Sequence, residues 1–216
     1  MTLSEKIVIW GASGHAKVVA EIIRLKAKYE IVGFLDSINQ GRWGQEFCGA
    51  KILGGEEQLD HLIANGVRHL IFGFGDCSER MRLAQLVKAK GYQLAFAIHP
   101  HSSIALDVSI QPGDVVVAGA IINPGCQIGE NVIINTAATV GHDSIIGDGV
   151  HVSPGVNLGG NIKVGTGTWI GIGACVRDHV TIGGDVIIGA GSVVVKDIPD
   201  HVVAYGNPAR VKRLKS

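Results

Sequence analysis

Neither sign of charge prevails in this chain: Lys plus Arg and Asp plus Glu both total 19 among 216 residues, so the formal net charge is zero. Without a basic field there is no electrostatic footprint for nucleic acid or an anionic membrane, and neither is expected as a partner. Cysteine is sparse. Cys48, Cys77, Cys126 and Cys175 stand far apart with no C-x-x-C spacing, which speaks against a zinc ribbon or a secreted disulfide framework and reads as reduced thiols of a cytoplasmic protein. Long apolar runs are missing too: Ile7 to Trp10 meets Gly11-Ala12-Ser13-Gly14 too soon for a signal h-region or a membrane span, so no membrane insertion is expected. Aromatic residues make up only 5%, and nine of the eleven precede residue 98. The two halves are therefore built on different principles, and domains are expected at 1–97 and 98–216.

What the chain has in abundance is glycine, 31 residues, and a strict period. From Ile98 to Val194 every sixth residue is aliphatic, seventeen times without a frame slip, and in eight hexads glycine follows directly, as at Gly129, Gly141 and Gly159. The position four after each aliphatic residue is small or aliphatic except at Asp114. A period of six suits neither a helix nor a lone alternating strand, but it fits a short strand plus a turn repeated around a coil. Stacked coils about 4.8 Å apart turn the aliphatic column into a continuous interior. In this the chain resembles the hexapeptide-repeat family, which implies three-sided, left-handed coils of eighteen residues. Before the repeats, strands read at Lys6–Trp10, Ile31–Leu35, His69–Phe74 and Gln93–Ile98. They alternate with helices at Ala16–Lys28, Glu56–Asn65 and Ser78–Lys90. The expected fold is an α/β Rossmann-like domain with a small parallel sheet, followed by a left-handed parallel β-helix.

Three segments could carry chemistry. The turn Gly11 to His15 joins a strand to a helix whose free N–H groups favour a phosphate, although Ser13 and Ala16 break the G-x-G-x-x-G pattern of a dinucleotide fold. His142 follows an inward Val140 by two residues, so it should leave the interior, and Asp143 beside it could fix its tautomer and raise its basicity. His151 lies directly before Val152 and has no histidine stacked on it eighteen residues away, so no metal site is expected. The ending Gly206-Asn207-Pro208-Ala209 leads into a basic tail that suits either coenzyme phosphates or solvent.

Together the turn, the hexads, Gly141-His142-Asp143 and the Gly-Asn-Pro-Ala ending resemble the sugar-nucleotide and sialic acid acetyltransferases of the hexapeptide-repeat family. The resemblance implies an acetyl-CoA-dependent N-acetyltransferase acting on a nucleotide-linked 4-amino-4,6-dideoxy sugar, UDP favoured, for surface glycans. It assigns His142 as general base and Asp143 as its supporting acid, and places the sugar nucleotide at Ser13, Gly14, His15, Asp36, Ser37 and Gly75. Acetyl-CoA is placed near His151, Gly160, Ile172 and Ala190, between the subunits of a homotrimer. Where relatives often carry Asn and Gly, this chain has Asp76 and Ala190. Cys126 and Cys175 read as buried small-position residues with no nucleophilic role. The alternatives are sialic acid O-acetylation, a non-catalytic solenoid scaffold, and a nicotinamide oxidoreductase, the last disfavoured by the broken glycine pattern.

Overall fold

The computed structural model describes residues 4–215, which form two compact units, Met1–Pro100 and His101–Ser216. The first is built on β1 (Glu5–Trp10), whose Ile7 to Trp10 run is buried throughout, as befits a central strand covered on both faces. It pairs in parallel with β2 (Tyr29–Leu35). Helix α1 (Gly14–Lys26) crosses between them and ends two residues before the expected Lys28, because Ala27 turns left-handed and donates to the Arg24 carbonyl at 3.1 Å. Sequence reading assigns no strand or helix between Asp36 and Glu56. The chain there makes an antiparallel hairpin, β3 (Glu46–Phe47) and β4 (Ala50–Gly54), and β4 adds in parallel to β2. A short α2 (Leu59–Ala64), then β5 (His69–Phe72), α3 (Cys77–Ala89) and β6 (Gln93–Leu94) complete a sheet of order β3-β4-β2-β1-β5-β6. Gly11 is required where β1 ends: its φ is +131°, and a Cβ there would stand 2.7 Å from the Gly73 carbonyl oxygen.

The second unit is a left-handed parallel β-helix with three sheets of two-residue strands. Partners are eighteen residues apart: Ile133 with His151 and Trp169 on one face, Thr139 with Asn157 and Cys175 on the next, Ile145 with Lys163 and Thr181 on the third. Val140, Ile146, Val152, Leu158, Val164, Ile170 and Val176 point inward and are buried. Three departures from the hexad reading have local causes. Ile110 heads no strand: the face it would begin starts one coil later, at Gln127–Ile128, which pairs with Ile145–Ile146. The last coil is two residues short: Ile188 pairs with Ala204, and the Asp197 carboxylate accepts from the Thr181 N–H at 2.8 Å. Cys175 is exposed, contrary to the expected burial, since the residue directly before inward Val176 must face outward, whereas Cys126 is buried. The C-terminal residues form an antiparallel hairpin, Val202–Gly206 with Ala209–Leu214, so the basic segment is a strand. No helix among the described residues is long and apolar enough to cross a membrane.

Asp114, the one exception in the small column, closes the first coil. Its two carboxylate oxygens accept from the N–H groups of Gln111 and Val132, each at 2.8 Å. Burial raises its pKa from 3.8 to about 7, opposed by those two hydrogen bonds. A carboxyl whose folded pKa lies above its unfolded value holds its proton longer when native, so folding stability falls as pH rises from about 4 through 7 and is level above. Asp114→Ala should cost about 2–3 kcal/mol by stranding two backbone donors, and should remove that slope, as denaturant titrations between pH 4 and 8 would show.

Candidate active site

Two constellations emerge, one in each unit. In the first unit a cleft of about 440 Å³ opens at the end of β1, within the size range of small-molecule sites. Ser13, Asp36 and Ser37 line it with Gly11, Trp10, Arg42 and Phe74. Ser13 caps α1 without spending its side chain, and the first turn carries no acidic residue, so the helix end keeps its preference for an anion. Asp36 is held by its own loop: its Oδ1 accepts from the N–H groups of Ile38 and Asn39 at 3.0 Å each. Arg42, which sequence reading missed, donates from Nη1 to the Ala12 carbonyl at 2.6 Å and lies 3.7 Å from Asp36 Oδ2. It ties the glycine turn to the acidic loop and brings a cation to the cleft wall. Only its fold context reveals it, since the hairpin that follows was not legible.

Gly14, His15 and Gly75 are not among the residues that line the cleft; His15 and Gly75 lie near Arg80. The Arg80 side chain is 1% exposed and its Nη1 donates to the Gly75 carbonyl at 2.8 Å. Burial, and then the charge of Arg80, lower the His15 pKa from 6.5 to about 4, so its imidazole is neutral at physiological pH. Positive charge at the cleft therefore comes from arginine. Asp76 caps α3 through the Glu79 N–H at 2.8 Å, and Arg82 is spent on Glu79 in two bonds of 2.8 Å.

The second constellation sits on one edge of the β-helix. His142 Nδ1 lies 2.7 Å from Asp143 Oδ2, and both side chains are more than half exposed. A carboxylate at Nδ1 selects the tautomer with the proton there and leaves a lone pair on Nε2. Asp143 reaches back because its φ is +57°, and its carboxylate lies over Gly125, where a Cβ would meet Oδ1 at 2.3 Å. Nε2 faces the next coil: a Cβ on Gly160 would stand 2.6 Å from it. The structure thus brings together His142, Asp143 and Gly160.

The other expected coenzyme contacts lie elsewhere on the same unit. His151 is buried on an adjacent face, stacked on Trp169 with ring centroids 5.6 Å apart and 5° between planes, its Nε2 3.2 Å from Asn135 Nδ2. Ile172 and Ala190 are exposed and stack on the edge that follows that face. One chain does not gather these positions around His142.

A β-helix edge carrying a histidine oriented by a carboxylate, joined in one chain to an α/β unit with an anion-favouring cleft, fits an acyltransferase of the left-handed β-helix class. Residues 6–87 match the PglD N-terminal domain, and residues 125–160 match the bacterial transferase hexapeptide (six repeats). The perosamine N-acetyltransferase of Caulobacter crescentus, solved with CoA and GDP-perosamine, is 37% identical with a TM-score of 0.91, covering 96% of each chain. The acetyltransferase domain of PglB from Neisseria gonorrhoeae, solved with acetyl coenzyme A, is 37% identical with a TM-score of 0.89, covering 97% of this chain and 100% of that one. A dTDP-3-amino-3,6-dideoxy-α-D-galactopyranose 3-N-acetyltransferase of Aneurinibacillus thermoaerophilus is 75% identical over 24 residues, 11% of this chain and 12% of that enzyme's length. The chain belongs to the hexapeptide-repeat sugar N-acetyltransferase family. It is an acetyltransferase, with acetyl-CoA as acetyl donor.

Gly160 is where geometry makes the sharpest demand. Gly160→Ala should push the imbedded methyl into the imidazole and lower kcat at least about 10²-fold while the thermal midpoint moves little, because no left-handed φ is required at this position. Thermal melts and initial rates on one preparation check both halves.

Proposed function

We propose that this enzyme N-acetylates a nucleotide-linked 4-amino-4,6-dideoxy sugar, the UDP form favoured, in the synthesis of a surface glycan, with His142 as general base. The observation that carries the reading is the His142 Nε2 lone pair, oriented by Asp143 and set against Gly160. The Met1–Pro100 unit serves as the sugar-nucleotide domain and His101–Ser216 as the acyltransferase domain. Relatives support the substrate class: a GDP-linked amino sugar is bound by one and a dTDP-linked amino sugar is acetylated by another. The preference for UDP comes from the family resemblance of the sequence.

In this mechanism the sugar amine attacks the thioester carbonyl while Nε2 takes its proton. The carbonyl oxygen gains charge that the Gly160 N–H stabilises, and the C–S bond breaks to release CoA thiolate, which recovers the proton from the imidazolium. No acyl-enzyme forms. Phosphate oxygens sit on the first turn of α1, at Ser13, Gly14 and His15, facing Arg42, and Asp36 with Ser37 takes ribose or base. His151, Ile172 and Ala190 contact acetyl-CoA across the interface of a cytoplasmic homotrimer, which answers their separation from His142 on one chain.

His142→Ala should lower kcat by roughly 10²- to 10⁴-fold, about 3–5 kcal/mol, with the fold intact, and Asp143→Asn should cost less because the base survives. The loss should shrink as pH rises through the amine pKa. Steady-state rates across a panel of UDP-, GDP-, dTDP- and CMP-linked amino sugars test the base and the nucleotide together; a folded His142→Ala enzyme with near-normal kcat at pH 7 would refute the assignment.

Asp36→Ala should weaken sugar-nucleotide binding far more than acetyl-CoA binding. Isothermal calorimetry with each ligand separately checks this, and equal losses would move the acceptor site away from the cleft.

A further inference from the structure

The inner corners of the β-helix carry a few buried hydroxyl and thiol side chains, and each spans two coils in one pattern. Thr168 Oγ1 donates to the Gly183 carbonyl at 2.7 Å and accepts from the Val186 N–H at 3.1 Å. Ser144, fully buried, accepts from the Ile162 N–H at 3.1 Å, and its Oγ lies 3.4 Å from the His142 carbonyl and 3.5 Å from the Gly159 carbonyl. The His142 carbonyl also accepts from the Asn161 N–H at 2.8 Å, whereas the donor to the Gly159 carbonyl among the described residues is the Ser144 hydroxyl. One coil below, Cys126 Sγ donates to the Gly141 carbonyl at 3.1 Å in the same way.

The peptide held at the Ser144 corner ends on Gly160, which faces the His142 ring. A trans peptide points its C=O and N–H in opposite directions, so drawing the Gly159 carbonyl inward turns the Gly160 N–H outward. At two equivalent corners the outward N–H is tied off: that of Glu130 by Asp148 Oδ1 at 2.8 Å, that of Gly184 by Asp200 Oδ1 at 2.6 Å. The Gly160 N–H has no acceptor among the described residues, and Asp178, which stands where Asp148 stands for Glu130, instead lies 3.8 Å from His179 Nε2. The Gly160 N–H thus belongs to the glycine that packs against His142 Nε2.

We infer that Ser144 is a positioning residue for the reaction: its buried hydroxyl fixes the Gly159–Gly160 peptide so that the Gly160 N–H is aimed, before substrate arrives, at the oxygen that gains charge in the transition state. The inference rests on the proposed function, in which His142 is the base and Gly160 the donor. Preorganised donors act in the transition state more than on bound substrate, so the effect falls on kcat.

Thr168 supplies the control, because it anchors the Gly183–Gly184 peptide with the same two bonds while the N–H of that peptide is already taken by Asp200. Ser144→Ala should lower kcat about 10-fold with KM for acetyl-CoA and for the sugar nucleotide nearly unchanged, and the acidic limb of the pH–rate profile should stay in place because an amide N–H does not titrate. Thr168→Ala should lower the thermal midpoint comparably and leave kcat within about two-fold. Ser144→Thr should restore most of the rate. If Ser144→Ala does not fold, Ser144→Cys, which copies Cys126, should fold and lose kcat about two- to five-fold. Wild-type kcat in Ser144→Ala (or in Ser144→Cys), equal kcat losses in Ser144→Ala and Thr168→Ala, or a shifted acidic limb would overturn the inference. Measured alongside, an active His142→Ala enzyme would sink the base reading itself, whereas an inactive His142→Ala with a fully active Ser144→Ala would sink only the role of Ser144.

Discussion

Everything in the second unit depends on one constraint: each coil must satisfy its backbone on the coil eighteen residues away. Hydrogen bonds such as Gly141 N–H to the Leu158 carbonyl and Gly159 N–H to the Val176 carbonyl run along the axis and fix the register of every column. A one-residue slip would turn an inward Val140 or Leu158 outward and bring Thr139 or Asn157 into the interior. The hexad is therefore held without exception through the central coils, and it relaxes only at the ends, at Ile110 and after Val194, where a neighbouring coil is missing on one side.

Stacking this strict leaves function to the edges. Inward columns are taken by aliphatic residues, so polar groups project outward, from strand positions such as Lys163 and Thr181 and from the corners, where His142 stands. His142 and Gly160 are corner residues in one column, and Asp143 follows in a left-handed conformation that several corners share, among them Asn161 and His179. The fold supplies the spacing, about one coil rise between the His142 imidazole and the Gly160 N–H, and glycine at 125 and 160 supplies the room. In the first unit the logic is the α/β one: a strand end, a close turn that only Gly11 permits, and a helix end favouring an anion.

Much of this was legible because periodicity is a property of the sequence itself. The columns, the outward course of His142, its Asp143 partner and the strand-turn-helix at Gly11 follow from spacing and residue type. The β3–β4 hairpin was not legible, since its strands are two and five residues long and the segment has neither alternation nor a periodic face. Arg42 was hidden with it, because the contact with Ala12 joins residues thirty apart through that hairpin loop. Cys175 was misplaced by one step of alternation. Ser144 was seen only as a small corner residue; its chemistry depends on which peptide lies fifteen residues on, and on what does not accept from the far side of it.

The exposure of the His142–Asp143 pair also bears on how the site works. In water a histidine and a carboxylate at 2.7 Å interact weakly, and a lone N–H such as that of Gly160 competes with solvent for any oxyanion. Both groups gain strength once water is displaced, because a lower local dielectric magnifies the ion pair formed on protonation and the hydrogen bond to developing charge alike. A single β-helix edge is convex and cannot exclude water by itself. The coenzyme contacts expected at His151, Ile172 and Ala190 lie on another face and edge, so a chain lying alongside would both cover the His142 edge and bring such contacts toward it. In the proposed trimer the same contacts would dry the His142 imidazole, so that exposure in one chain and a closed site in the assembly are compatible.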